Sequence, residues 1–68
     1  MINVKELTEK DIGRWVVYRD FGREEHGRIA SFTSKYVFVV YERPGRDMNL
    51  FQHYTPVATD PERLEFLE

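Results

Sequence analysis

The segment Tyr36-Val37-Phe38-Val39-Val40-Tyr41 limits what this chain can fold into more than any other stretch of it. Six consecutive β-branched or aromatic residues suit a pleated strand and lose side-chain freedom in a helix. A run that is apolar on both faces belongs in the middle of a sheet. Alternation sends Val37, Val39 and Tyr41 to one side, and Tyr36, Phe38 and Val40 to the other. One side fills the core. The other is covered by a terminal segment or offered to a partner, which makes Tyr36, Phe38 and Val40 the candidate protein-contact face.

The flanking sequence supplies the rest of a sheet. Thr8 with Asp11 three residues on has the form of a capping box, Leu7 and Ile12 stand where a hydrophobic staple would, and Gly13 ends the turn. Trp15-Val16-Val17-Tyr18-Arg19 then reads as a strand. Asp20-Phe21-Gly22-Arg23-Glu24-Glu25 reads as a charged loop that breaks it, and Gly27 to Phe32 as a second strand joined through Thr33-Ser34-Lys35 to the central one. After the Pro44-Gly45 turn, Leu50 to Tyr54 is expected to form a fourth strand and Thr55 to Ala58 a fifth, confined to an edge by Pro56. Asp60 as cap and Pro61 as first helical residue predict a closing helical turn with Leu64 and Leu67 in contact, plugging one end. No linker, repeat or low-complexity stretch interrupts residues 1–68, so one domain is expected.

Size makes this pattern demanding. Sixty-eight residues lie near the lower limit for one unassisted hydrophobic core, and the chain has no cysteine for a disulfide or thiolate zinc site. Its ten aromatic residues, each able to bury roughly 150–250 Å², must carry the packing.

The spaced elements Gly13-Arg14-Trp15-Val16, Gly27-Arg28-Ile29 and Val37-Phe38-Val39-Val40-Tyr41 are similar to the opening strands of small SH3-like barrels of the Tudor and KOW type. This resemblance covers roughly residues 12 to 41 and implies an all-β, five-stranded barrel with short helical turns near both ends. It carries no single activity, since such barrels host many. From Asp11-Ile12-Gly13-Arg14-Trp15 to the closing Asp60-Pro61-Glu62-Arg63-Leu64-Glu65-Phe66-Leu67, the chain also resembles short proteins encoded by tailed phages and prophages. With no basic region leading an apolar run and no stretch near the ~18 apolar residues of a membrane span, a cytoplasmic protein is expected.

Catalysis finds little to build on. There is no cysteine nucleophile, serine elbow or phosphate-binding glycine loop, and His26 and His53 are too far apart in sequence to form a paired ligand motif. Glu24-Glu25-His26 reads as a solvated loop rather than a metal site, and His53 as a packing residue on the fourth strand. No catalytic residue, cofactor or metal is assigned.

Three binding chemistries remain. An aromatic cage for a methylated cation would draw on Tyr18, Phe21, Tyr36, Tyr41 and Tyr54, rings that so short a chain also needs for its core. Nucleic-acid binding would use Arg14, Arg19, Arg23, Arg28, Arg43 and Arg46 on phosphates, with Phe21 stacking on a base. Residues 13–54 carry seven basic against five acidic groups in a chain of net charge −2, which dilutes that signal. Docking of another protein, or of a second copy, on the aromatic central face is the leading expectation, with nucleic acid second and an enzyme third.

Overall fold

The computed structural model describes residues 1–67. Its strands are β1 (Trp15–Asp20), β2 (Arg23–Phe32), β3 (Val37–Tyr41), β4 (Val57–Thr59) and β5 (Leu64–Phe66). They form one antiparallel sheet in the order β4-β3-β2-β1-β5. The fold is all-β, as the sequence indicates, with only short 3₁₀ turns at Val4–Glu6, Glu9–Asp11, Met48–His53 and Pro61–Arg63. The barrel, however, is not closed: β4 and β5 are the two edges and do not pair with each other.

The central strand sits where its composition puts it, between β2 and β4. Val37, Val39 and Tyr41 face the core with Val16, Ile29, Leu64 and Ile2, and Val4, Leu7, Tyr18 and Phe66 pack around them. The predicted amino-terminal turn is present: Thr8 and Asp11 form a reciprocal capping box. Ile2 N–H donates to the Pro61 carbonyl at 2.9 Å, strapping the amino-terminal segment across the sheet.

Two backbone devices let the sheet curl around this core. At Gly27 an added Cβ would lie 2.6 Å from both Val39 Cγ1 and the Val40 carbonyl oxygen, so the strand approach requires glycine. A bulge between Ile29 and Ser31 then shifts the register, leaving Ile29 opposite Val39 and Ser31 opposite Phe38.

Four expectations are corrected. Residues 20–25 are no broad loop: β1 and β2 meet in a two-residue turn, Phe21-Gly22, with φ of 47° and 80°, and Arg23 to His26 are already strand. Paired positive φ values fit the right-handed twist of a hairpin. The fourth strand at Leu50 to Tyr54 is a 3₁₀ segment, Met48–His53, because the Asp47 side chain accepts from Asn49 N–H and starts a turn. The next strand therefore runs over Val57–Thr59, with Pro56 just before it on the sheet edge. The closing turn is real but short. Asp60 caps Pro61–Arg63, and Leu64–Phe66 leaves it as β5 to pair with β1, so the carboxy-terminal segment extends the sheet instead of plugging it.

The face bearing Tyr36, Phe38 and Val40 is also settled differently from the expectation. Val40 lies opposite Arg28, and the Arg28 guanidinium sits 4.4 Å from the ring of Phe51 in the 48–53 segment. Val40 and Val17 are fully buried there and Phe51 nearly so. Val40 is therefore inaccessible to a partner; Tyr36 is 47% exposed and Phe38 partly buried.

Gly27→Ala is expected to destabilise the fold by about 3 kcal/mol through overpacking against β3, read as a lower urea midpoint with unchanged slope. Phe21→Asn should act oppositely, since Asn tolerates the left-handed region that costs Phe about 1–2 kcal/mol. A stabilisation of about 1 kcal/mol would raise Tm by roughly 4–8 °C in a domain of this size.

Candidate functional site

The hairpin end of the open barrel gathers the most chemically varied surface. The inner ends of β1, β2 and β3 place Tyr18, Glu25 and Tyr41 around a cleft of about 320 Å³, closed on its far side by Val57, Thr59 and Arg63. A second cleft of about 260 Å³ continues from Arg63 to the Phe21-Gly22 tip and Arg23.

Aromatic and hydroxyl groups hold the first cleft's walls. Tyr18 and Tyr41 meet edge to face, with ring centroids 6.2 Å apart and planes at 76°. Tyr41 is buried and its hydroxyl lies 2.8 Å from Thr59 Oγ1, which itself donates to the Val57 carbonyl at 3.1 Å. Tyr18 donates to Asp20 Oδ2 at 3.1 Å. Burial pushes both phenols above their ordinary pKa, with the Asp20 carboxylate adding to the effect at Tyr18 and the Thr59 bond opposing it at Tyr41. Both are protonated at neutral pH.

The arginines predicted to meet phosphate are distributed over the whole structure and are largely engaged within it. Arg28 is a strut: Nε donates to the Gly13 carbonyl at 2.7 Å and Nη1 to the Met48 carbonyl at 3.0 Å. Arg14 pairs with Asp11 at 2.9 Å and lies 3.6 Å over the Phe66 ring. That pairing and the Thr8 backbone bond, the larger of the two influences, lower the Asp11 pKa. Arg19 bridges Glu24 and Glu65, each at 3.2 Å. Arg46 donates to the Tyr41 carbonyl and stands 5.0 Å from the Tyr54 ring. Arg43 and Arg23 both approach Glu25, at 3.5 and 3.8 Å. Arg23, 81% exposed, is the one held most loosely.

Of the five rings considered for a cation cage, only Tyr18 and Tyr41 come together, and Tyr41 faces the core. Tyr36 lies at the opposite end of β3, Tyr54 is drawn to Arg46 and Asp47, and Phe21 projects into solvent at 93% exposure. His26 is exposed on β2 and His53 exposed in the 48–53 turn, correcting its placement as a packing residue. Among the described residues no three His, Asp or Glu side chains converge to hold a metal ion, and no helix is long and apolar enough to cross a membrane.

Sequence reasoning missed Arg63. It donates to Asp20 Oδ1 at 3.0 Å and borders both clefts at the hairpin end. The Asp60-Pro61 start signal gives the turn that carries Arg63, but a partner 43 residues away leaves no local mark.

Because the Tyr41 pKa is higher in the folded chain than in the unfolded one, folding stability is complete below about pH 10 and falls as pH rises through the folded value. Tyr41→Phe should soften this alkaline decline, followed by unfolding at stepped pH, while costing about 1 kcal/mol at neutral pH for the lost hydrogen bond. Compared with known proteins, the chain matches no family model, no curated sequence and no solved structure.

Proposed function

We propose that this chain is a non-catalytic interaction module that docks protein through apolar side chains left outside its two packed faces. The observation that carries this reading is the division of labour on its surface. Guanidinium groups are committed to carbonyls, carboxylates and rings of the same chain, whereas Phe21, Val57, Leu50 and Tyr36 stand 93%, 54%, 49% and 47% exposed. Exposed apolar groups on a small domain are the usual material of a protein contact. The separate resemblance of the whole chain to short phage and prophage proteins is the ground for reading it as an accessory protein, while the likeness of residues 12 to 41 to Tudor and KOW barrels bears on architecture alone.

Nucleic-acid binding is the second reading, favoured specifically by the loose Arg23 beside the exposed Phe21 ring. Against it, binding through Arg14, Arg28 or Arg46 would have to break bonds that hold the fold.

Amide-resolved NMR decides between them, titrating the chain with mixed-sequence single-stranded RNA and with a short DNA duplex, at low salt and at about 0.2 M salt. Protein docking predicts no salt-sensitive shifts with either. Shifts clustered at Arg19 to Glu25 that collapse on adding salt would replace it with the nucleic-acid reading.

A further inference from the structure

We propose that residues 47–54 form a flap that swings off the outer face of the sheet as one piece, with Arg28 as its catch. The motion belongs to the fold itself and does not depend on the protein-docking reading.

The segment is closed on itself. Asp47 N–H donates to the Tyr54 hydroxyl at 3.0 Å and ties the two ends together. Between them, Leu50 N–H donates to the Asp47 carbonyl at 2.9 Å, Asn49 N–H to Asp47 Oδ1 at 3.0 Å and Tyr54 N–H to the Phe51 carbonyl at 3.3 Å. Short loops whose ends meet and whose bonds are made internally are compact units in their own right. A kink at Leu50, with φ −103° and ψ 30°, separates the two turns, so that Leu50 faces solvent while Phe51 is buried.

Attachment to the sheet is narrow. Among the described residues, no backbone hydrogen bond joins 47–54 to another part of the chain. The side-chain bond that does so runs from Arg28 Nη1 to the Met48 carbonyl at 3.0 Å. Phe51 completes the attachment. Its ring lies 4.4 Å from the same guanidinium and so close to Gly13 that a Cβ added there would stand 3.4 Å from it.

Arg28 keeps its own place without the flap. Nε is bonded to the Gly13 carbonyl at 2.7 Å and the guanidinium is 5.6 Å from the Trp15 ring, both on the sheet side. Opening therefore breaks one charge-assisted bond and one stacking contact, and leaves the strut standing.

The chain is held on either side of the loop. Arg46 Nη1 donates to the Tyr41 carbonyl at 2.9 Å, and Val57–Thr59 is paired with β3. Rotation falls to the residues in between. Asp47 and Tyr54 both carry extended backbone, the broadest allowed region, where a hinge can absorb a change of direction. Opening uncovers Val17 and Val40 on the outer face, while Val16, Ile29, Val39 and Leu64 keep their packing on the other. The motion thus has a signature on one face of the sheet only.

Methyl and aromatic relaxation dispersion, which reads µs–ms exchange, is the test. The wild type is expected to show one shared rate at the Val17 and Val40 methyls, the Phe51 ring and Leu50, with a minor state of about 0.1–10%. The methyls of Val16, Ile29, Val39 and Leu64 should stay flat. Arg28→Lys keeps the charge and the stem but loses the fork, and should raise the open population about tenfold with the sheet still folded. Tyr54→Phe removes the tie between the loop ends and should split the shared rate into several. Flat profiles at Val17 and Val40 in both the wild type and Arg28→Lys would overturn the flap, as would one rate common to both faces, which is global unfolding. Unrelated rates at Leu50 and Phe51 in the wild type would show fraying in place of a hinged unit. An unfolded Arg28→Lys chain would make Arg28 a clamp on the whole fold and not the catch of one loop.

Discussion

The Arg28 guanidinium is the interaction on which the second face of the sheet depends. An open sheet this small has one face turned to the core and must do something with the other. Here Nε and Nη1 of Arg28 reach two backbone carbonyls from different parts of the chain, Gly13 before β1 and Met48 after β3, and the same plane rests against Phe51 and, more distantly, Trp15. Fixed fork geometry is what lets one side chain bind two carbonyls and still stack. The 48–53 segment is thereby pinned over Val17 and Val40, and a sheet that would otherwise present an apolar outer face acquires a second small packed layer.

That strut also explains why the segment after β3 is a turn and not the strand its composition suggests. Leu50 to Tyr54 contains β-formers, but Asp47 supplies a cap, and a segment running alongside β3 could not deliver Phe51 to Arg28. Local propensity was overridden by a tertiary contact between residues 23 positions apart. The elements legible in the sequence are those set by short-range chemistry: the central strand, the Thr8-Asp11 capping box, the Asp60-Pro61 start and the edge position of the segment after Pro56. What escaped was long-range, including the pairing of Leu64–Phe66 with β1, the Arg63–Asp20 bond and the coverage of Val40. The tip escaped for a different reason. Phe-Gly is not a hairpin turn pair by residue type, so its charged surroundings read as a loop.

Arginine excess is a weaker sign of a phosphate surface in a chain like this than it would be in a larger one. With so little volume available for an apolar core, planar guanidinium groups here do packing work: Arg14 lies on Phe66, Arg28 on Phe51 and Arg46 near Tyr54. Their stems cover apolar surface while their heads satisfy backbone oxygens. The lysines have no such tasks. Lys5, Lys10 and Lys35 make no ion pair among the described residues, so the small amount of uncommitted positive charge sits on ammonium groups.

The failure of the barrel to close ties these features together. β4 and β5 stay apart, and a mouth lies at the hairpin end, walled by Tyr18, Tyr41 and Thr59 and bordered by Arg63. Arg63, on the turn that joins β4 to β5, reaches Asp20 at the base of the turn that projects Phe21. The two edges are short, three residues each, and a three-residue edge offers little template for further strand pairing. Backbone addition is thus a poor route to a partner for this fold, which is why the proposed protein contact is assigned to exposed side chains.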